Sequence, residues 1–408
     1  KSLITILKEQ SKLIEKNEDQ KILKQILTLL EKNNLTLLSP QEVHFLESNK
    51  QETWTEYLIF RYKMNYFPKQ KIVYDFPVYL LIEPVSACNL RCIMCFQIDE
   101  TFTSNNKFMG MIDFELFKKI IDDAVAGGTK AITLASRGEP TLHPKLGDML
   151  EYCSGKFFEL KINTNATKLN EKLIHQILKN GVTNMVFSID SYKKDEYESI
   201  RVKGVFEEIV NNVKKFKDIK EEFYPDSKIE TRVSGVKVEK SQDPKKFRDF
   251  WKDYVDNVVM VEMENRWDTY HNPTDVASND PCRYLWERMY IWYDGLCNPC
   301  DIDYKSELSV GSVKDQTIKD IWHSDKFTEL REDHLKNNRN QIKFKNILIS
   351  DDLSMKSLKY SIKENTIKTF EAGCNLALHC NGNLKEMNII AKNSPKINSF
   401  IIKKTSEF

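Results

Sequence analysis

The sequence predicts an α/β protein: six parallel βα units bent into a partial barrel, with a helical extension ahead of it and a small region behind. Three observations carry that prediction. Apolar residues recur at helical spacing through residues 1–75, as at Leu3, Ile6, Leu7, Leu13 and Ile14 and again from Ile22 to Leu30. The pattern then changes to short apolar runs that alternate with helical segments. These runs are VYLLIE (78–83), KAITLA (130–135), FFELKIN (157–163), TNMVFSID (183–190), KIETRVSGV (228–236) and NVVMVEM (257–263). Third, the residues able to carry chemistry gather just after those runs, where parallel barrels place their working groups.

Taken in order, the extension at 1–75 carries no chemical motif. The first strand feeds the loop EPVSACNLRCIMCF. Asp113 is placed to cap a helix through FELFKKIIDDAVAGG, which Gly127 and Gly128 close. The strands and helices over 76–275 amount to a partial (β/α)6 TIM-like barrel. An auxiliary region (276–341) and a tail (342–408) follow.

Composition excludes several classes. With 61 basic and 60 acidic residues the net charge is +1, so no broad field draws nucleic acid or an anionic membrane surface. No apolar run approaches the length of a membrane span. The nine cysteines are odd in number and clustered, which argues against a secreted disulfide framework and for a reducing cytoplasm. The chain starts at Lys1 without an initiator Met, as a fragment would.

The cysteine loop is the most specific feature. Cys88, Cys92 and Cys95 stand at three-then-two spacing, so one short loop offers three thiolates. Three thiolates hold three irons of a [4Fe–4S] cube and leave the fourth iron open to a small chelating cofactor. The competing reading is a zinc knuckle, but closed zinc sites take four ligands and no fourth lies near this loop.

This loop resembles the signature of the radical SAM enzymes, and the later strand ends extend the resemblance. SRGEP (136–140) is similar to the family's Gly-Gly-Glu motif, with Arg137 in place of the first Gly. The resemblance implies that Gly138 and Glu139 receive the ammonium group of S-adenosylmethionine (SAM). It also implies ribose or carboxylate contacts from Asn163, Thr164 and Asn165 in NTNAT and from Ser188 in SIDS. Arg232, inside the fifth strand, would take the SAM carboxylate as a bidentate donor or else pair in the barrel wall. Met94 stands where the family has an aromatic residue, and its thioether can still pack on adenine.

A second group, Cys282, Cys297 and Cys300, lies in PCRYLWERMYIWYDGLCNPCDIDY. Together with VGSVKDQTIKDIWHSDKFTELREDHL it resembles the start of a SPASM or twitch domain, which carries an auxiliary iron–sulfur cluster. No cysteine follows Cys300 before Cys374, so the cluster is expected to be incomplete. Cys297 is either a third ligand or an incidental thiol, and a CxxC zinc site is the remaining alternative.

From about Ile342, FKNILISDDLSMKSL and ENTIKTFEAGCNLALHCNGN resemble a piece of a glycoside hydrolase family 3 β-N-acetylhexosaminidase. There ILIS (347–350) would be a barrel strand and Asp351 the nucleophile, unless Asp351 or Asp352 caps the following helix. Such an enzyme also needs a separate proton donor, whose His-containing loop is missing here. The tail therefore reads as a joined fragment, with Cys374 and Cys380 as small buried core residues.

The radical SAM resemblance implies a [4Fe–4S] cluster and SAM as cofactors. Reductive cleavage of SAM to a 5′-deoxyadenosyl radical would then abstract hydrogen from a small-molecule, carbohydrate or peptide substrate. A one-electron reductant such as flavodoxin or ferredoxin would be the partner. Within that resemblance, residues 1–75 lack the strand pattern of the usual leader-binding module and would either dock a partner or brace the barrel. The readings from other classes are a family 3 glycosidase and a metal-binding protein without catalysis.

Overall fold

A computed structural model describes residues 2–264, 266–267, 269–270, 280–336, 349–355, 358–371, 374 and 376–397. The chain divides into two compact units, Lys1–Arg331 and Glu332–Phe408.

In the first unit the strands are β1 (Tyr79–Ile82), β2 (Arg91–Cys92), β3 (Ala131–Leu134), β4 (Glu159–Thr164), β5 (Asn184–Ser188) and β6 (Arg201–Val202). β7 (Glu230–Lys237), β8 (Asn257–Glu262), β9 (Arg288–Ile291), β10 (Leu296–Asn298) and β11 (Gly311–Ser312) follow. β1, β3, β4, β5, β7 and β8 pair in parallel in that order, each within two residues of the run that predicts it. The sheet is nevertheless wider than six strands. β9 adds in parallel to the free edge of β1, with Tyr79 opposite Arg288, and β10 and β11 continue antiparallel. The auxiliary region is thus built into the barrel sheet.

Alternation along the strands sorts the two faces. Leu80, Ile82, Ile132, Leu134, Leu160, Ile162, Met185, Phe187 and Val233 bury against the helices in the main core. The opposite face lines the barrel interior. Helices at Phe114–Gly127, Leu146–Cys153, Glu171–Lys179, Phe206–Phe223 and Pro244–Trp251 cover the outside. Asp113 caps the first of these through Glu115 N (3.0 Å) and Leu116 N (3.1 Å), and Gly128, at φ 92°, ends it.

The helices of residues 1–75 close the N-terminal end of the barrel. Tyr57, Phe60, Phe45 and Phe158 interlock there, with Phe45 stacked on Tyr57 at 3.5 Å. Arg61 reaches Glu159 (2.9 Å), at the start of β4, and Glu42 (2.5 Å). This is the brace of the two roles the sequence left open. Among the described residues, no helix is long and apolar enough to cross a membrane.

The second unit holds β12 (Ile349–Asp352) and β13 (Leu376–Leu378), paired in parallel, and helices at Ile362–Glu371 and Leu384–Asn393. Residues 347 and 348 of the expected ILIS strand lie outside the described residues. The two strands among the described residues do not form a sugar-binding barrel, and Asp351 is exposed. Asp352 does not cap the next helix either: its carboxylate accepts from Ser354 N (3.0 Å) and Cys380 N (3.0 Å). Cys380 is exposed and Cys374 half-buried, so neither is the core residue the sequence suggested.

Candidate active site

β1 ends at Ile82, and the cysteine loop begins at once at the C-terminal mouth of the barrel. Short interactions fix its shape. Cys92 pairs with Arg201 in the two-residue β2–β6 ladder, Ile93 N donates to Ile200 O (3.0 Å), and Cys95 N donates to Cys92 O (2.9 Å). Leu90 N points at Cys88 Sγ (3.4 Å), and Asn165 Nδ2 approaches the same sulfur at 3.7 Å. Among the described residues, no three His, Cys, Asp or Glu side chains converge closely enough to hold a single ion.

Burial pushes the Cys88 thiol up to about 12, and the neighbouring Cys92 and Cys95 add to it. Burial pushes Cys92 up to about 11 against the opposing charge of Arg201. Cys95 is also raised by burial, while Arg266, Arg201 and Arg91 oppose it. Arg201 is held in turn by Asp190 (2.5 Å), whose second oxygen accepts from Val236 N (2.8 Å). The loop is a set of thiols poised near fixed cations, which an iron centre would deprotonate.

The SRGEP loop packs directly beneath. A Cβ on Gly138 would lie 2.3 Å from the carbonyl oxygens of Val85 and Ala87, so only glycine lets these two backbones touch. Glu139 N donates to Ala87 O (3.0 Å). The Glu139 carboxylate accepts from Thr141 N (3.0 Å), Thr141 Oγ1 (2.6 Å), Thr164 Oγ1 (2.6 Å) and Asn165 N (2.7 Å). Burial raises its carboxyl, and these donors oppose the rise. Glu139 thereby organises the loop together with Thr164 and Asn165.

Arg137, in place of the motif's first Gly, is tied into the fold. Its guanidinium grips buried Glu83 through Nε (2.7 Å) and Nη2 (2.6 Å), and Nη1 donates to Tyr304 O (2.8 Å) in the auxiliary region. It also lies over the Trp292 ring at 4.5 Å. Gln97 Nε2 ties Ser86 O (2.7 Å) to Arg137 O (2.6 Å). Beyond the third cysteine, Phe96 stacks on Tyr304 (4.8 Å), and Asp99 accepts from Tyr304 OH and Lys305 Nζ, both at 2.8 Å. Sequence reasoning missed Arg201, Gln97 and Glu83, because their partners lie 11 to 210 positions away and leave no local pattern.

Among the described residues, the buried polar atoms without a hydrogen-bond partner include Gln97 Oε1, Ser136 Oγ, Asn163 Oδ1, Tyr197 OH and Arg232 Nε. Each such atom costs about 1–3 kcal/mol unless a ligand satisfies it. Ser136 also sits at φ 140°, a strained position for a residue with a side chain. Ser188, level with Ser234, and Met94 are half-buried at the same end. The donor set and the unsatisfied atoms fit a cluster with a small polar cofactor beside it.

Of the second cysteine group, Cys282 lies near enough to Cys300 to add to its rise, which burial carries to about 12. Cys297 sits in β10 opposite Ile291, fully buried in the main core, and burial raises its thiol strongly. Arg266, ion-paired to Asp301, is close enough to act on both Cys95 and Cys300.

Comparison with known proteins agrees with this geometry. Residues 82–250 match the radical SAM superfamily, and residues 282–346 match the SPASM iron–sulfur cluster-binding domain. The chain carries a radical SAM domain and a SPASM domain. The first of these implies a [4Fe–4S] cluster and SAM, and the second indicates auxiliary iron–sulfur binding.

Among curated relatives, a tungsten-containing aldehyde ferredoxin oxidoreductase cofactor-modifying protein of Pyrococcus furiosus is 39% identical over 116 residues, 28% of this chain and 30% of that protein. The antilisterial bacteriocin subtilosin biosynthesis protein AlbA of Bacillus subtilis is 26% identical over 148 residues, 36% of this chain and 32% of that protein. The chain thus spans about a third of the length of these relatives. Streptococcus suis SuiB bound to S-adenosylmethionine shares the radical SAM fold at TM-score 0.52 and 16% identity, covering 78% of this chain and 84% of SuiB. The glycoside hydrolase resemblance of the tail finds no support in these comparisons.

Proposed function

We propose that the chain is a radical SAM enzyme whose cluster is held by Cys88, Cys92 and Cys95 and whose substrate is a peptide or another small molecule. The observation that carries the reading is the set of three thiols in the loop after β1, on a barrel that also leaves Ser136 Oγ, Asn163 Oδ1 and Arg232 Nε unsatisfied. When bound, the cluster and SAM would supply a 5′-deoxyadenosyl radical for hydrogen abstraction, and the protein supplies position and exclusion of water.

Each residue then has a defined task. Gly138 lets the SRGEP backbone approach the cysteine loop, so that its carbonyls face the SAM ammonium. Glu139, Thr164 and Asn165 keep that loop rigid. Asn163 and Ser188 offer polar contacts to the ribose, Arg232 binds the SAM carboxylate, and Met94 packs on adenine. Cys282 and Cys300 are ligands of the auxiliary iron centre, and Cys297 is a core residue. Similarity to a bacteriocin biosynthesis protein favours a peptide over a carbohydrate as substrate. The nine free thiols suit a reducing compartment such as the cytoplasm, with a flavodoxin or ferredoxin as electron donor.

The test is anaerobic reconstitution with iron and sulfide, followed by dithionite and SAM, with chromatographic detection of 5′-deoxyadenosine. The expected result is product from the wild type and a loss of at least about 100-fold in Cys92→Ala. Iron loading without product would make the chain a metal-binding protein instead.

A further inference from the structure

Lys161 lies on the inner face of β4, between Glu159 and Asn163, because Leu160 and Ile162 turn outward into the main core. In register beside it are Thr133 of β3 and Asn184 of β5. Arg232 stands one interior row nearer the cysteine loop, since Asn163 pairs with Val186 and Val186 with Arg232. The charged groups that act on Lys161 are Arg232, Arg288 and Glu159.

Two of those neighbours are already matched: Glu159 is held by Arg61, and Arg288 by Glu287. Among the described residues neither Lys161 nor Arg232 forms an ion pair. Burial, reinforced by Arg232 and Arg288, brings the Lys161 ammonium down to about 8. A half-buried cation with two like charges and no anion of its own is a costly arrangement for a fold to keep. SAM carries one carboxylate, and Arg232 at the mouth would take it. Lys161 remains, one interior row deeper in the barrel than Arg232.

We propose that Lys161 binds a carboxylate of the substrate, so that the enzyme acts on an acidic molecule held with that group pointing down the barrel. The inference rests on the SAM-cleaving reading above, but its test does not use SAM cleavage. The reconstituted full chain is acetylated with an N-hydroxysuccinimide ester from pH 6 to 10.5, and the rate at Lys161 is read by peptide mass mapping. The probe is N-acetylglutamate at about 50 mM, a concentration suited to a millimolar contact, with N-acetylglutamine amide as the uncharged control.

The expected result in the presence of SAM is slower Lys161 acetylation at pH 8, by at least about threefold, with the carboxylate probe and not with the amide. Its titration midpoint rises, because an anion favours the charged amine. Equal protection by SAM alone would assign the site to the SAM carboxylate and overturn the proposal. So would no protection by the dicarboxylate probe at any pH. Failure of the SAM-cleavage assay with protection intact would remove the enzyme reading and leave an anion site.

Discussion

Arg137 shows how much one residue decides here. It is buried, among the described residues its charge is met only by Glu83, and Nη1 holds a carbonyl of the auxiliary region. Losing one partner of such a pair strands the other, which costs more than the pair contributes. Arg137→Met should therefore destabilise the protein by about 3–5 kcal/mol in anaerobic urea unfolding, and Glu83→Leu added to it should restore much of that. A loss below about 1 kcal/mol in the single variant would mean that Glu83 is solvated and the link to Tyr304 is incidental. The sequence offered Arg137 only as a deviation from a glycine. Its role depends on Glu83 and Tyr304, which lie 54 and 167 positions away.

Among the elements, the strands were the most legible because period-two apolar runs are set by local alternation. The additional strand β9 was not. RMYI reads equally as buried helix, and its partner β1 lies more than 200 residues earlier, so only the tertiary fold selects the pairing. The helical extension was legible as helices, with a brace as one of two open roles, but its contacts were not, since Arg61 meets Glu159 across 98 positions. Arg61→Met would leave Glu42 and Glu159 buried without their cation. The expected cost is about 3 kcal/mol at pH 7. Burial already raises the Glu159 carboxyl, and losing Arg61 raises it further. The folded state of the variant then binds a proton more tightly than the unfolded one, so its deficit should shrink as pH falls toward 5. Thermal melts across that range would check it, and a pH-independent deficit would refute the ionic account.

At the level of the whole molecule, the chain is two compact units, and Cys88, Cys92 and Cys95 lie in the first. A chain ending at residue 336 should load the same iron at Cys88, Cys92 and Cys95 and cleave SAM to within about twofold of the full chain. Iron assay and 5′-deoxyadenosine yield would test this. A loss of first-site iron would show that the second unit supports the barrel.

By itself, the sequence determined the barrel strands, the helix cap at Asp113 and the cysteine loop, because each is written in neighbouring residues whose spacing is the physical requirement. Tertiary structure alone decided which distant groups meet. It sent Cys297 to the core while bringing Cys300 near Cys282, set Arg201 beside Cys92, and left Lys161 without an anion. Burial and long-range partners fix the charge and reactivity of such groups, and those are properties of the folded chain.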